Sequence, residues 1–175
     1  QKYLLAFLSY CTAWRFSEDA AKQGKPRAVF LEPNFRAYSK VSSEIFEYLK
    51  TQAEAFEPAS IDEAYLEFKA TSDKLHGDFW KYAEDKAKEI KEHIKETQHL
   101  TCSIGIGPNK LIAKIAAGRN KPDGLTFVKP DQVQKFLDPL SVKEIPGIGP
   151  KSGEALLKIG AQTIADLRKL PRERL

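Results

Sequence analysis

The chain has 175 residues, of which 42 % are hydrophobic and 30 % charged, with a formal net charge of +4. That length supports one modest domain, or a domain with a small appendage, and the composition excludes a disordered or fibrous polypeptide. No apolar run approaches the roughly 20 residues that cross a bilayer, so a soluble protein with no membrane partner is expected.

The charge is uneven. Residues 101–175 carry 13 basic and 7 acidic side chains, whereas residues 1–100 carry 15 and 17. A basic second half suits a polyanionic partner. Cys11 and Cys102 lie far apart, without metal-ligand spacing, and read as reduced intracellular thiols. His76, His93 and His99 form no metal motif and are expected at the surface of a charged helix. Residues 1–10 are too short and too weakly flanked for a signal peptide. With no initiator Met, the sequence is expected to begin inside a longer protein.

In chain order, Ser17 is the expected N-cap of a helix over 17–23, with Glu18 and Asp19 in its first turn. "RAVFLE", residues 27–32, reads as a short apolar strand. Pro33 and Asn34 open a helix to about Thr51, whose apolar positions Phe35, Tyr38, Val41, Ile45, Phe46 and Leu49 follow helical spacing. Residues 53–68 read as two strands around a turn near Pro58, which cannot donate to a ladder and suits a strand end. Residues 78–98 give the clearest helix, with Phe79, Ala83, Ala87, Ile90 and Ile94 in one stripe. "LTCSIGI" is a strand, and Pro108 suits the first turn of a helix to about Gly118. "NKPDG" is a turn and "LTFV" a strand. Only helices follow Pro130, at about 131–138, 141–145, 150–158 and 162–169. Strands interleaved with helices, plus one hairpin, predict an α+β layer of the ferredoxin-like kind. The change of pattern near residue 129 marks a second, all-helical module.

Three stretches could carry chemistry. "SIDEAYLEF", residues 60–68, puts Asp62 and Glu63 side by side. Adjacent side chains on an ideal strand point to opposite faces, but at a hairpin turn the two acids can converge. Oxygen ligands of this kind suit Mg²⁺ in phosphoryl transfer; without context, an acidic pair at a turn reads first as an ordinary solvated bend. In "GPNKLIAKIAAGRNKPDG", residues 107–124, Lys110 and Lys114 share a helix face, Leu111, Ile112 and Ile115 are expected to face inward, and Lys121 sits in the following turn. Fixed cations there suit a triphosphate, although this stretch alone reads first as an ordinary amphipathic helix with exposed lysines. In "IPGIGPKSGEALLKIG", residues 145–160, Gly147 and Gly149 flank Ile148, and Pro150 and Lys151 open a helix. Its free amides form an anion site of the kind that holds a phosphate without reading sequence.

Taken together and in this order, the three stretches resemble the palm and thumb of a Y-family translesion DNA polymerase of the DinB type. "AWRFSEDAAKQ…AVFLEPNFRAYSKVSSEI" is similar to the passage from that family's fingers back to its palm. The resemblance implies residues 1–25 as a fingers remnant, 26–128 as an incomplete ferredoxin-like palm, and 129–175 as a truncated helix–hairpin–helix thumb. It implies Asp62 and Glu63 as metal-binding catalytic carboxylates for two Mg²⁺, with Mn²⁺ able to substitute. Lys121 would hold the triphosphate of a dNTP. Ile145, Gly147, Ile148, Gly149 and Lys151 would bind primer–template DNA. Ser60 belongs to the same motif without an assigned role. A sliding clamp, reached through a C-terminal region beyond this sequence, and a cytoplasmic, nucleoid-associated location are implied as well.

The sequence also departs from the pattern. The family has a further metal-binding Asp in an Asp-x-Asp-aromatic strand, and the only Asp before Asp62 is Asp19. The fingers Tyr and Arg, the steric gate and the little finger have no counterpart. The chain is therefore expected to be a remnant or fragment, with little activity alone. The alternative classes are a non-catalytic DNA-binding protein on a polymerase-like scaffold, and a helix–hairpin–helix platform for partners.

Overall fold

A computed structural model describes residues 17–69 and 78–174. Cys11, His76 and residues 1–10 lie outside them. The chain divides into two compact units, Gln1–Ala37 and Tyr38–Leu175.

In the first unit, residues 17–22 form helix α1. Ser17 is itself helical and buried, so it is not the cap expected of it. Its Oγ instead accepts the backbone N–H of Ala28 at 2.8 Å, tying α1 to the segment that follows. Arg27 pairs with Glu18 at 3.1 Å. The strand expected over residues 27–32 does not form: Val29 and Leu31 are 82 % and 84 % exposed. β-branched residues favour a strand only where a neighbour supplies the ladder, and no described strand pairs with this segment.

Helix α2, Phe35–Gln52, starts where expected, with Asn34 Oδ1 accepting the Ala37 N–H at 3.1 Å. Its C-terminal half packs through Ile45, Phe46, Tyr48 and Leu49, while Phe35 and Tyr38 of the predicted stripe remain exposed. Strands β1, Ala55–Pro58, and β2, Ala64–Glu67, pair antiparallel with Phe56 opposite Leu66 and Pro58 opposite Ala64. Pro58 thus ends its strand as predicted.

Helix α3, Phe79–Gln98, is capped by Asp78, whose side chain accepts the Trp80 N–H, and by His99 in the left-handed region. Ala83, Ala87, Ile90 and Ile94 form its buried stripe. Lys81–Asp85, Lys86–Glu89 and Lys88–Glu84 pair along the solvent face. Leu49, Ile90 and Ile94 make the core, against which Phe56, Ala64, Leu66, Cys102 and Ile104 pack. One helical layer, α2 with α3, therefore covers a face of both the hairpin and the strand that follows. The buried Leu49, Ile90 and Ile94 side chains each contribute about 1.5–3 kcal/mol.

Strand β3, Ile104–Ile106, pairs in parallel with β4, Leu125–Phe127, through helix α4, Lys110–Arg119. Among the described residues there are two sheets of two strands each. A Cβ on Gly105 would lie 2.0 Å from the Ala113 carbonyl oxygen, so only glycine lets α4 lie this close to β3. Asn109 is the N-cap of α4, its side chain accepting the Ile112 N–H at 3.0 Å, so Pro108 stands just before the helix and not in its first turn. Ile112 and Ile115 are buried as expected, but Leu111 is 46 % exposed. It lies about 100° around the helix from Ile112 and so faces away from the sheet.

The remaining elements are short helices. A 3-10 turn, Pro130–Gln132, runs into α5, Val133–Leu137, and Val133, Phe136 and Leu137 pack on Ile112, Ala116 and Val128. A second 3-10 turn, Val142–Glu144, precedes α6, Pro150–Lys158, and α7, Ile164–Lys169. Val142 and Ala161 are wholly buried between them. The Ile164 N–H donates to the Leu140 carbonyl at 2.8 Å, and Ser141 and Thr163 form a bridge. Helix α6 ends with Ala161 N–H on the Leu156 carbonyl and Gly160 N–H on that of Leu157, the double closure of a Schellman motif.

Candidate active site and nucleic-acid interface

The acidic pair lies in the bend between β1 and β2, outside both strands. The bend is closed by the N–H groups of Ala59 and Ser60, which both donate to the Glu63 carbonyl, at 2.9 and 3.1 Å. The Ser60 hydroxyl donates to Asp62 Oδ1 at 2.6 Å, so Ser60 orients the carboxylate that follows it. The hydroxyl of Ser42, on α2, donates to the Ile61 carbonyl and anchors the bend from outside. Sequence reading gave Ser60 no role and missed Ser42. The motif hinted at the first, and no local pattern marks the second.

Helix α4 brings cations to this bend. Lys114 Nζ lies 2.8 Å from Glu63 Oε2. Lys110, one turn earlier, pairs with Glu57 of β1, and its ammonium sits 5.6 Å from the centre of the Tyr65 ring. The hydrogen bond that Lys114 donates to Glu63, then the electrostatic attraction of Glu63, Tyr65 and Asp62, raises the Lys114 pKa above the usual lysine value. From Lys114, α4 runs roughly 8 Å further to its end at Arg119, just before Lys121. Lys121 is exposed, and its ammonium has no carboxylate partner among the described residues. The structure thus places the acids beside the helix that leads into the lysine-bearing turn.

Two hard carboxylates in an exposed bend suit Mg²⁺ or Mn²⁺, which accept oxygen donors and retain waters. Lys114 shows that Glu63 already holds a cation in this setting. Among the described residues, no group of three or more His, Cys, Asp or Glu side chains comes together. Asp62 and Glu63 therefore fit as part of a coordination shell.

The third stretch is a hairpin between the Val142–Glu144 turn and α6. Ile148 N–H donates to the Ile145 carbonyl at 3.0 Å, and Gly147 adopts φ +93°, which only glycine reaches without strain. Gly149 is the N-cap of α6, with Pro150 at the first helical position. The first-turn amides of Lys151 and Ser152 have no carbonyl one turn back. Ile145 and Ile148 are half-buried, and Lys151 is exposed. The surface around Gly147–Lys151 therefore offers N–H donors and an ammonium together.

This layer, followed by a helical hairpin module, has the fold of the palm and thumb of a DinB-type Y-family polymerase. The chain belongs to the impB/mucB/samB family, whose model matches residues 17–118, and the "IMS family HHH motif" matches residues 130–161. It is 43 % identical over 145 residues to "DNA polymerase IV 2" of Methanosarcina mazei, covering 81 % of this chain and 37 % of that protein. It is also 43 % identical over 143 residues to "DNA polymerase IV" of Nitrosopumilus maritimus, covering 82 % and 38 %. A DinB family error prone DNA polymerase from Sulfolobus solfataricus superposes with a TM-score of 0.84 at 31 % identity, covering 98 % of this chain and 48 % of that one. The chain thus spans about two fifths of the curated relatives it matches. Among the described residues, no helix is long and apolar enough to cross a membrane.

Proposed function

We propose that this chain is the palm and thumb portion of a lesion-bypass, DNA-directed DNA polymerase that transfers a nucleotidyl group from a dNTP to a primer 3′-hydroxyl. The observation that carries this reading is the Asp62–Glu63 bend, held by Ser60 and Ser42 and faced by the lysines of α4. Relatives named DNA polymerase IV support it.

In this reading Asp62 and Glu63 hold the Mg²⁺ ions, with Mn²⁺ able to substitute. When bound, such ions neutralise phosphate charge and acidify the attacking hydroxyl. The protein's own part is positioning. The Ser60 hydroxyl fixes the direction of the Asp62 carboxylate, Lys114 holds that of Glu63, and the Ala59 and Ser60 amides close the bend on the Glu63 carbonyl. Lys121 holds the triphosphate by charge. Residues 145–149 and Lys151 hold a DNA phosphate by amide donors and an ammonium, without reading sequence. The division into residues 1–25, 26–128 and 129–175 as fingers remnant, palm and thumb belongs to the same proposal. So do a sliding clamp engaged outside the described residues and a location in the cytoplasm at the nucleoid.

Primer extension by the full-length protein tests this reading. Asp62→Ala and Glu63→Ala should each abolish synthesis while leaving DNA binding. Synthesis that survives both would favour a non-catalytic DNA-binding protein.

A further inference from the structure

Lys91, on α3, is 32 residues from Asp123 in sequence, yet its ammonium lies 2.5 Å from Asp123 Oδ1. It also donates to the Cys102 carbonyl at 2.5 Å and reaches the Gly124 carbonyl at 3.4 Å. An ammonium has three donors, and all three are directed at β3's approach and at the turn between α4 and β4. The Lys91 side chain is only 17 % exposed, whereas the lysines pairing along the solvent face of α3 are more open. Further bonds tie the same turn down: Gly124 N–H to Ser103 Oγ at 3.1 Å, and Asn120 Nδ2 to Thr126 Oγ1 at 3.0 Å. Asp123 sits at φ +59°, in the left-handed region that aspartate enters more readily than most residues with a side chain. Two residues before it is Lys121.

We propose that Lys91 is a positioning residue for Lys121: it clasps the Asp123–Gly124 end of the turn and fixes the backbone from which Lys121 reaches a triphosphate. The proposal rests on the reading of Lys121 given above. A long lysine side chain loses much of its benefit if its own backbone must also be ordered when the ligand arrives. With the turn held from α3, only the Lys121 rotamers remain to be fixed. The hydrogen bond from Lys91 also lowers the Asp123 pKa, as expected of a carboxylate that accepts from an ammonium.

The test is a double-mutant cycle in the full-length protein, reading KM for the incoming dNTP, kcat, and Kd for primer–template DNA. Lys121→Ala should raise the nucleotide KM. Lys91→Met should raise it about tenfold, with DNA affinity unchanged. In the Lys121→Ala background, Lys91→Met should add less than about twofold. A purely structural clamp would instead add its full effect to that of Lys121→Ala and weaken DNA binding too, and that result overturns the proposal. If Lys91→Met does not fold by circular dichroism, Asp123→Asn tests the clasp from its exposed end, with the same pattern expected. If Lys121→Ala leaves the nucleotide KM unchanged, the reading of Lys121 fails and the positioning role with it. An effect of Lys121→Ala without coupling to Lys91 or Asp123 overturns the positioning role alone.

Discussion

The ammonium of Lys114 lies 2.8 Å from Oε2 of Glu63, joining α4 to the acidic bend across 51 residues of sequence. The protein thus supplies its own cation at a carboxylate proposed to hold a metal. Lys114 and a divalent ion compete for Glu63, so Lys114→Met should tighten Mn²⁺ binding in the absence of nucleotide by up to about fivefold, the range of an exposed ion pair. Electron paramagnetic resonance of free Mn²⁺ measures this directly. The pair also has a pH signature. Because the folded pKa of Lys114 is raised, the stability it contributes is fully present below the unfolded lysine value and is lost as pH rises through the folded one. The difference in Tm between wild type and Lys114→Met should therefore be constant near neutrality and shrink only above about pH 10.4.

Ser42 holds the bend from α2 through the Ile61 carbonyl. Residues that orient metal ligands without touching the metal cost about tenfold or more in activity when removed. Ser42→Ala should lower primer-extension kcat by about that factor in the full-length protein while DNA affinity is kept. Equal loss of both would point to general unfolding instead.

The thumb has its own stability signature. Thr163 and Asp166 form a reciprocal capping box at the start of α7, with Asp166 Oδ2 accepting the Thr163 N–H at 2.9 Å. Thr163→Ala should cost about 1 kcal/mol by urea unfolding. Hydrogen bonds from the Thr163 backbone, then its side chain, lower the Asp166 pKa. The stability this carboxylate contributes is present above the unfolded aspartate value and is lost as pH falls through the folded one. Wild type and Asp166→Asn should therefore converge in Tm only below about pH 3.9.

Lys151 stands at the start of α6 beside the Gly147–Gly149 turn. If it meets a DNA phosphate, Lys151→Gln should weaken binding about equally for all sequences and reduce the slope of log K against log salt by about 1. Fluorescence anisotropy across a salt series measures both. An unchanged slope would remove Lys151 from the interface.

Much of this was legible in the sequence where the signal is local. The α3 stripe of Ala83, Ala87, Ile90 and Ile94 follows from helical periodicity. Pro58 placed a strand end, and Asp62 and Glu63 fell in the bend that frees them from strand alternation. What failed needed a neighbour. Residues 27–32 have strand composition but no described strand to pair with. The exposed Leu111 and the buried Ile112 are adjacent and equally apolar, and only the position of the sheet separates them. Ser17 looked like a cap because serine often is one, but its hydroxyl serves Ala28. The partners of Ser42, Lys91 and Lys114 lie 19, 32 and 51 residues away. Spacing marks such residues as polar and exposed but does not name what they hold.

The most direct test of the central claim is Mn²⁺ titration of the full-length protein, with a non-hydrolysable dNTP and primer–template DNA, beside the Asp62→Asn and Glu63→Gln double variant. The account predicts saturable Mn²⁺ binding that strengthens with nucleotide and is lost in the double variant, while DNA affinity stays the same. Equal Mn²⁺ binding by both proteins would contradict it.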